Sequence, residues 1–531
     1  MAEYILMVAT IMLLCVVLKK MSSRLGMPML LFFIVLGMLF GSDGLVKIPF
    51  ENYDVAEKVC SIALIFIMFY GGFGTNWSAA KSIAVKSTIL STFGVMVTAA
   101  ITGVFCYFVL GFEFLESMLI GSVISSTDAA SVFSILRSKR LNLKDHTAPI
   151  LEVESGSNDP CSYMLTVIVL AIMSGNFSGG KLVYMIFAQI AYGVLIGCIL
   201  AVVATWILNR VRLSKDGFDA IFVFGMALVA YALAAIVEGN GYLSAYILGI
   251  ILGNKAIPNK KALVHFFDGI TGLMQMLIFF LLGLLAFPSQ LPTILLPSLA
   301  IALFLTFVAR PLAIFGLLAP FKCTFHQKLL ISWAGLRGAA SIVFAIMAVV
   351  SPIYMKNDIF HIVFFIVLFS ISLQGSLIPF MAKKLHMIDD ESNVMKTFSD
   401  YSEEMPIQFI KLPISPNHSW IGKKIGDISL IPDILLVLIL RENERIIPKG
   451  HTTILEGDVI ILSALSIEEE VGVRLSEIKV DKDNAWLGRR ISEITLGVER
   501  LILVIKREGR VIIPNGSTLI KEKDVLVISE L

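Results

Sequence analysis

The chain has 531 residues, of which 57% are hydrophobic and only 16% are charged. Soluble globular chains carry roughly 45–50% apolar and about 25% charged residues, so the composition excludes a wholly soluble protein. The net charge of +2 gives no reason to expect nucleic acid as a partner. Half of the charged residues fall within 385–531, which predicts a polytopic membrane protein with a soluble C-terminal tail.

Apolar stretches long enough to cross a bilayer as helices recur along residues 1–384. The first has its lysines after the apolar run and not before it, so we interpret it as a spanning helix and not as a signal peptide. We predict thirteen spans, at 4–18, 27–41, 55–73, 87–110, 114–136, 148–173, 182–208, 218–237, 242–254, 266–286, 293–319, 327–350 and 359–382.

Lysines and arginines concentrate in alternate loops between these spans, for example in 137–144 and 255–261. The positive-inside rule places such loops in the cytoplasm. We therefore expect the N-terminus outside and the tail inside the cell. The arrangement of the chain is typical of a bacterial protein, which places it in the cytoplasmic (inner) membrane.

Cysteine and histidine give no sign of a metal site. The six cysteines all lie in the apolar part and form no C-x-x-C pair, and the seven histidines show no H-x-x-x-H spacing. Neither a metal nor a cofactor is expected.

A run of polar residues, Ser125, Ser126, Thr127 and Asp128, interrupts the fifth span at its middle. Hydroxyl and carboxylate side chains compete with a helix for backbone hydrogen bonds. A charge at this depth is also costly unless it has a partner or a water-filled cavity. The run therefore predicts an unwound break that lines a cavity.

The sixth span contains a second polar cluster, in the segment E-S-G-S-N-D-P. Helical spacing places Ser155 and Asp159 on one face, with Glu154 and Asn158 as the adjacent pair. The segment predicts that ionisable groups gather within the membrane, as they do in transporters.

The twelfth span reads W-A-G-L-R-G-A, with Arg337 between two glycines. The segment G-A-A-S at 338–341 echoes D-A-A-S at 128–131. Interrupted helices at matching places in two halves indicate a transporter site at an inverted-repeat interface.

The tail repeats itself at an offset of 66 residues, seen in Trp420 and Trp486. Short β-branched runs between Pro-x-Gly turns predict a small α+β unit in each copy. The predicted domains are a membrane domain, a linker and two tail modules, at 1–384, 385–404, 405–466 and 474–531.

The W-x-G…R…P-x-G…G-D-V pattern resembles the RCK-C (TrkA-C) module of potassium-transport regulators. The resemblance implies regulation of the membrane domain by a ligand, for which nucleotides, including cyclic dinucleotides, are candidates. A module that only stabilises a dimer is the alternative. No G-x-G-x-x-G follows a strand, so NAD is not expected.

The three membrane motifs together resemble the NhaP-type monovalent cation:proton antiporters of the CPA1 family, over about 380 residues. The resemblance implies an NhaA/NapA-like fold of thirteen helices, with inverted repeats and broken crossing helices. It also implies a homodimer, in which a six-helix core moves against a dimerisation domain.

The same resemblance implies a role for each polar residue of the two breaks and the sixth span. Asp159 binds either a cation or a proton, and Thr127, Asp128 and Ser155 supply oxygens or hold the crossing together. Asn158 stands where electrogenic relatives have a second aspartate.

Two further charges are expected to be structural. Arg337 is an obligate cation, and Glu154 is its expected partner in a buried pair, with another acidic residue as the alternative. Arg310 lies near a cytoplasmic end of the eleventh span and is expected to snorkel to the interface.

These roles imply antiport, because a proton or an alkali cation can each neutralise a buried carboxylate. With a single exchangeable carboxylate, one-for-one exchange of cytoplasmic K+ for external H+ is expected, serving cation, volume and pH homeostasis. Na+ in place of K+ is the main alternative. A passive channel would need a TVGYG-like filter, and an intramembrane hydrolase a G-x-S-G or G-x-G-D motif; neither occurs.

Overall fold

The computed structural model describes residues 6, 9–17, 28–75, 77, 81, 83–139, 141–175, 178–211, 217–389, 407–416, 418–428, 434–441, 444–465, 474–481, 484, 486–494, 500–507, 510–512 and 514–530. The chain divides into two compact units, Met1–Glu403 and Glu404–Leu531. The first unit is helical and the second is built on β-strands.

The first unit is a succession of apolar helices, preceded by helical residues at 9–17. The helices are α1 Met29–Phe40, α2 Tyr53–Gly74, α3 Ala84–Phe108, α4 Phe114–Val123, α5 Ala129–Ser138, α6 Thr147–Met173, α7 Gly179–Arg210, α8 Phe218–Ile236, α9 Gly241–Gly253, α10 Lys260–Leu285, α11 Leu291–Phe304, α12 Arg310–Leu317, α13 Phe325–Trp333, α14 Ala339–Val350, α15 Ile359–Gly375 and α16 Ile378–Lys384.

Among the described residues, five of these helices and the continuous segment Ile294–Leu317, which joins α11 and α12, are long and apolar enough to cross a membrane. Together, α15 and α16 pass the same test but are bent by 46° at the break between them. Each predicted span from the second onward overlaps a helix or an interrupted pair of helices. The first predicted span lies partly outside the described residues, and the number thirteen stays a prediction.

Glycines bring neighbouring helices into backbone contact. A Cβ added at Gly72 of α2 would lie 2.3 Å from the carbonyl oxygen of Tyr246 in α9, and one added at Gly249 would lie 2.2 Å from that of Phe69. Small residues allow such close packing of helices in a bilayer, where the lipid provides no hydrophobic driving force for helix association. As a result, α2 and α9 are held together beside α6, where the polar cluster lies.

The second unit contains two four-stranded antiparallel sheets with the same strand order. One sheet is ordered β1-β4-β2-β3 and the other β5-β8-β6-β7. The strands are β1 Ile407–Pro413, β2 Leu435–Arg441, β3 Glu444–Ile446, β4 Val459–Leu465, β5 Arg474–Lys479, β6 Arg500–Arg507, β7 Arg510–Ile512 and β8 Val525–Glu530.

The repeat extends to the hydrogen-bond register of the sheets. The register shifts between Leu436 and Leu438 in the first sheet and between Ile502 and Val504 in the second. These positions are 66 residues apart, so the sequence repeat is also a structural repeat.

Each sheet also holds a fully buried aspartate. Arg441 donates two hydrogen bonds of 2.8 Å to Asp458, and Arg507 donates two of 2.7 Å to Asp524. Burial by itself would raise the pKa of each carboxyl, but the arginine and a backbone N–H outweigh it, so both pKa values lie below the ordinary value.

Candidate ion-binding site

Two interrupted helices meet at the centre of the first unit. The chain leaves the helix at 124–128 and again at 334–338, where the sequence predicts breaks. The Asp128 N–H donates to the Leu336 carbonyl at 2.8 Å. A Cβ added at Gly338 would lie 2.3 Å from Asp128 Oδ2. The two breaks therefore cross in direct contact, at a point that glycine alone accommodates.

Asp128 caps the helix that follows the first break. Its carboxylate accepts the Ser131 N–H at 3.2 Å and the Ser131 hydroxyl at 2.6 Å. It also lies against Gly338, immediately before α14. A negative charge is stabilising at the start of a helix, where N–H groups are unpaired, so Asp128 stabilises the start of α5, and its carboxylate also lies close to the start of α14.

Arg337 makes the complementary contacts at the end of a helix. Its Nη1 donates to the carbonyl oxygens of Ser125 and Ser126 at 2.8 and 2.6 Å, just beyond the end of α4. The side chain is 2% exposed. Cations are stabilising at helix ends, where carbonyls are unpaired. Asp128 and Arg337 thus compensate the opposite ends of the interrupted helices.

Glu154 is paired with Arg310. The expectation that Glu154 pairs with Arg337 is therefore wrong. Arg310 Nη2 donates to Glu154 Oε1, and the two side chains are 2% and 1% exposed. The expectation that Arg310 snorkels is therefore wrong. A Cβ added at Gly335 would lie 2.8 Å from Arg310 Nε, so the glycine beside the second break leaves room for the guanidinium.

A hydroxyl group and an amide group of α6 form hydrogen bonds with Thr127 in the first break. The Asn158 Nδ2 donates to Thr127 Oγ1 at 2.6 Å, and the Ser155 hydroxyl donates to the Thr127 carbonyl at 2.7 Å. Asn158 is fully buried. These contacts hold the unwound backbone of the break against the middle of α6.

Asp159 lies next to this junction and is 7% exposed. The Ser126 hydroxyl hydrogen-bonds to its carboxylate, and Asp128 is near enough to interact with it electrostatically. Among the described residues, Asp159 Oδ1 and Asn158 Oδ1 accept no hydrogen bond. Hard oxygen ligands suit alkali cations, and a carboxylate can equally accept a proton.

The structure therefore gathers Thr127, Ser155, Asn158 and Asp159 around one break, while Asp128 and Arg337 compensate helix ends. Glu154 belongs to a separate ion pair. Sequence reasoning missed Arg310 as a buried partner. A basic residue well inside a long apolar stretch was the available signal, since such residues usually find a partner there.

Comparison with known families matches nearly the whole chain. The family described as "Sodium/hydrogen exchanger, transmembrane" matches residues 8–384. The TrkA-C domain matches residues 409–466 and 475–529. Both matches agree with the resemblances that the motifs of the sequence suggested.

Named relatives cover most of the chain at moderate identity. The K(+)/H(+) antiporter NhaP of Alkalimonas amylolytica is 32% identical over 477 residues, covering 89% of this chain and 83% of that protein. The K(+)/H(+) antiporter NhaP2 of Shewanella sp. (strain ANA-3) is 33% identical over 452 residues, covering 84% of this chain and 78% of that protein.

A solved structure shares the fold of the first unit. The sodium proton antiporter MjNhaP1 of Methanocaldococcus jannaschii superposes with a TM-score of 0.64 at 25% identity, covering 72% of this chain and 99% of that one. The family match, the relatives and the fold agree. The chain belongs to the sodium/hydrogen exchanger family of membrane proteins and carries two TrkA-C domains in its tail.

Proposed function

We propose that this protein is a secondary antiporter that exchanges cytoplasmic K+ for external H+ across the cytoplasmic membrane. The observation that carries the proposal is Asp159, a buried carboxylate at the crossing of two interrupted helices with one oxygen that accepts no hydrogen bond from the described residues. The K(+)/H(+) antiporter names of the two relatives favour potassium.

The exchange follows from the cost of burying charge. A carboxylate within the membrane is stabilised by a bound proton or by a bound cation. Glu154 and Asp128 are engaged by Arg310 and Ser131, so Asp159 is the group that changes partner. If reorientation requires a neutralised Asp159, cations and protons cross in opposite directions, one for one.

Several further features belong to the same proposal. The membrane unit has thirteen spans related by an inverted repeat, with its N-terminus outside. The protein is a homodimer, and its tail regulates transport in response to a ligand such as a nucleotide. The two TrkA-C domains support a regulatory tail.

Sodium/proton exchange is the second candidate, and the name of a similar solved structure supports it. The superposed structure is that of a sodium proton antiporter. Asp159 and its oxygen neighbours would bind either alkali ion, because the choice between them depends on cavity size and hydration.

The test is dissipation of a preset proton gradient in everted vesicles after addition of KCl or NaCl. Asp159→Asn should abolish cation-induced proton release, whereas Asp481→Asn, in an exposed part of the tail, should leave it intact. The ion with the lower half-saturating concentration is the physiological substrate. Exchange that survives in Asp159→Asn would contradict the proposed mechanism.

A further inference from the structure

The side chains of two α15 residues bridge the second break. In an unbroken helix the Arg337 N–H would donate to the Trp333 carbonyl, four residues earlier. In this protein the Arg337 N–H donates to the Ser370 hydroxyl oxygen at 3.1 Å, and the Ser370 hydroxyl donates to Gln374 Oε1 at 3.0 Å. Gln374 Nε2 then donates to the Trp333 carbonyl at 2.6 Å. This Ser370–Gln374 bridge thus stands in place of one hydrogen bond of the helix.

The direction of each hydrogen bond in the bridge is set by its two ends. The Arg337 N–H can only donate, so the Ser370 oxygen accepts and its own proton goes to Gln374. The Trp333 carbonyl can only accept, so the Gln374 amide turns its NH2 group towards it. Ser370 and Gln374 are each 3% exposed, and a buried polar group left unpaired is costly. The bridge therefore requires a hydroxyl at position 370 and an amide at position 374.

The bridge lies in a π-helical turn, Ser370–Gly375, at the end of α15. Such turns contain an extra residue and occur frequently at functional sites. The Trp333 indole N–H donates to the Gln374 carbonyl at 3.2 Å, and the Thr306 hydroxyl lies 3.5 Å from Gln374 Oε1. Both contacts hold Gln374 beside the second break.

Arg337 links the position of the second break to that of the first. Its Nη1 donates to the carbonyl oxygens of Ser125 and Ser126. The next residue, Thr127, is hydrogen-bonded to α6, the helix that carries Asp159. A displacement of the Arg337 backbone would therefore move the carbonyls that lie beside the ion-binding residues. Small misplacements of binding groups have large effects on transport and catalysis alike.

We propose that Ser370 and Gln374 are positioning residues, which keep the second break open and hold Arg337 in place against the first break. The inference rests on the proposed antiport function, in which Asp159 binds the ion. Without the bridge, the Arg337 N–H either returns to the Trp333 carbonyl or loses its partner. In both cases Arg337 no longer fixes the carbonyls of the first break, and the affinity of the site for a cation falls.

The experiment removes the bridge in two ways. Gln374→Met keeps the length of the side chain without its amide, and Ser370→Ala removes only a hydroxyl, which Ser370→Thr retains. Ser372→Ala is the matched control, because the Ser372 hydroxyl lies in the same π-helical turn and donates to carbonyls of its own helix. Half-saturating K+ and the maximal rate are measured in everted vesicles. The rise in melting temperature with KCl over choline chloride is measured on each purified full-length protein.

The half-saturating K+ concentration should rise about threefold or more in Gln374→Met and Ser370→Ala, as expected for a lost hydrogen bond. Stabilisation by KCl should shrink in parallel, and Ser370→Thr and Ser372→Ala should match the parent protein. The double variant Ser370→Ala/Gln374→Met should bind K+ no more weakly than Gln374→Met alone, because both changes interrupt one chain of hydrogen bonds.

Half-saturation at the parent value in both Gln374→Met and Ser370→Ala would overturn the positioning role while leaving antiport intact. A lower melting temperature or maximal rate would not rescue it, because those losses alone indicate a purely structural role. Ser370→Thr as impaired as Ser370→Ala would overturn it as well. A parent protein without exchange and without stabilisation by KCl would overturn the proposed function and this inference together.

Discussion

Glu154 and Arg310 form an ion pair that is almost entirely shielded from solvent. Removing one partner of such a pair leaves a buried charge without compensation, which costs about 3–5 kcal/mol. Glu154→Gln and Arg310→Met should each lower the melting temperature of the purified protein strongly. The double variant should recover part of the loss, because no unpaired charge remains.

Arg337 provides the control for this pairing. Adding Arg337→Met to Glu154→Gln should restore nothing, because Arg337 binds the carbonyls of Ser125 and Ser126. Recovery with Arg337→Met in place of Arg310→Met would contradict the pairing. Melting temperatures of the single and double variants decide between the two partners.

The crossing of the two breaks depends on Gly338. A methyl group there would overlap the Asp128 carboxylate, whose Oδ2 is 2.3 Å from an added Cβ. Gly338→Ala should therefore displace Asp128 from Ser131 and from the start of α14. We expect at least a tenfold loss of cation-induced proton release in everted vesicles.

Gly316→Ala is the matched control for that substitution, because an added Cβ at Gly316, within α12, meets nothing within 4 Å. Alanine also favours a helix by about 1 kcal/mol over glycine, so this variant should be as active as the parent and at least as stable. Normal exchange in Gly338→Ala would show that the close contact is dispensable.

The places of the breaks could be predicted from sequence, whereas the contacts between them could not. Ser125 to Asp128 is a poor stretch for a regular helix in lipid, and Gly335 and Gly338 flank a charge. Both are local properties. The partner of Glu154 depends on which of two arginines reaches it. Three-dimensional packing decides this choice, which no local property of the sequence indicates.

At the scale of the whole molecule, the second unit should respond to acid through its two buried pairs. The pKa values of Asp458 and Asp524 lie below the ordinary value, which is about 3.9 in an unfolded chain. The folded tail then binds fewer protons than the unfolded tail. The stabilisation is complete above the unfolded pKa and is lost as the pH falls through the folded pKa.

Hydrogen exchange of the full-length protein, followed by mass spectrometry as the pH is lowered, checks this prediction. Protection of β4 and β8 should fall over the same acid range, because the two pairs have the same geometry. Asp458→Asn should weaken protection of β4 already at neutral pH, whereas the exposed Asp427→Asn should not. Protection of β4 that does not change with pH, or in Asp458→Asn, would contradict a stabilising role for the pair.

The compensation of helix ends by Asp128 and Arg337 has a thermodynamic consequence. Both are fixed in place by protein contacts, so the proposed exchange alters only the occupant of Asp159. A transporter that carries one positive charge in each direction per cycle does no net work against the membrane potential. Exchange then stops when the proton ratio equals the potassium ratio. Because each tenfold ratio corresponds to about 1.4 kcal/mol for either ion, a tenfold potassium gradient would sustain a pH difference of about one unit, whatever the voltage.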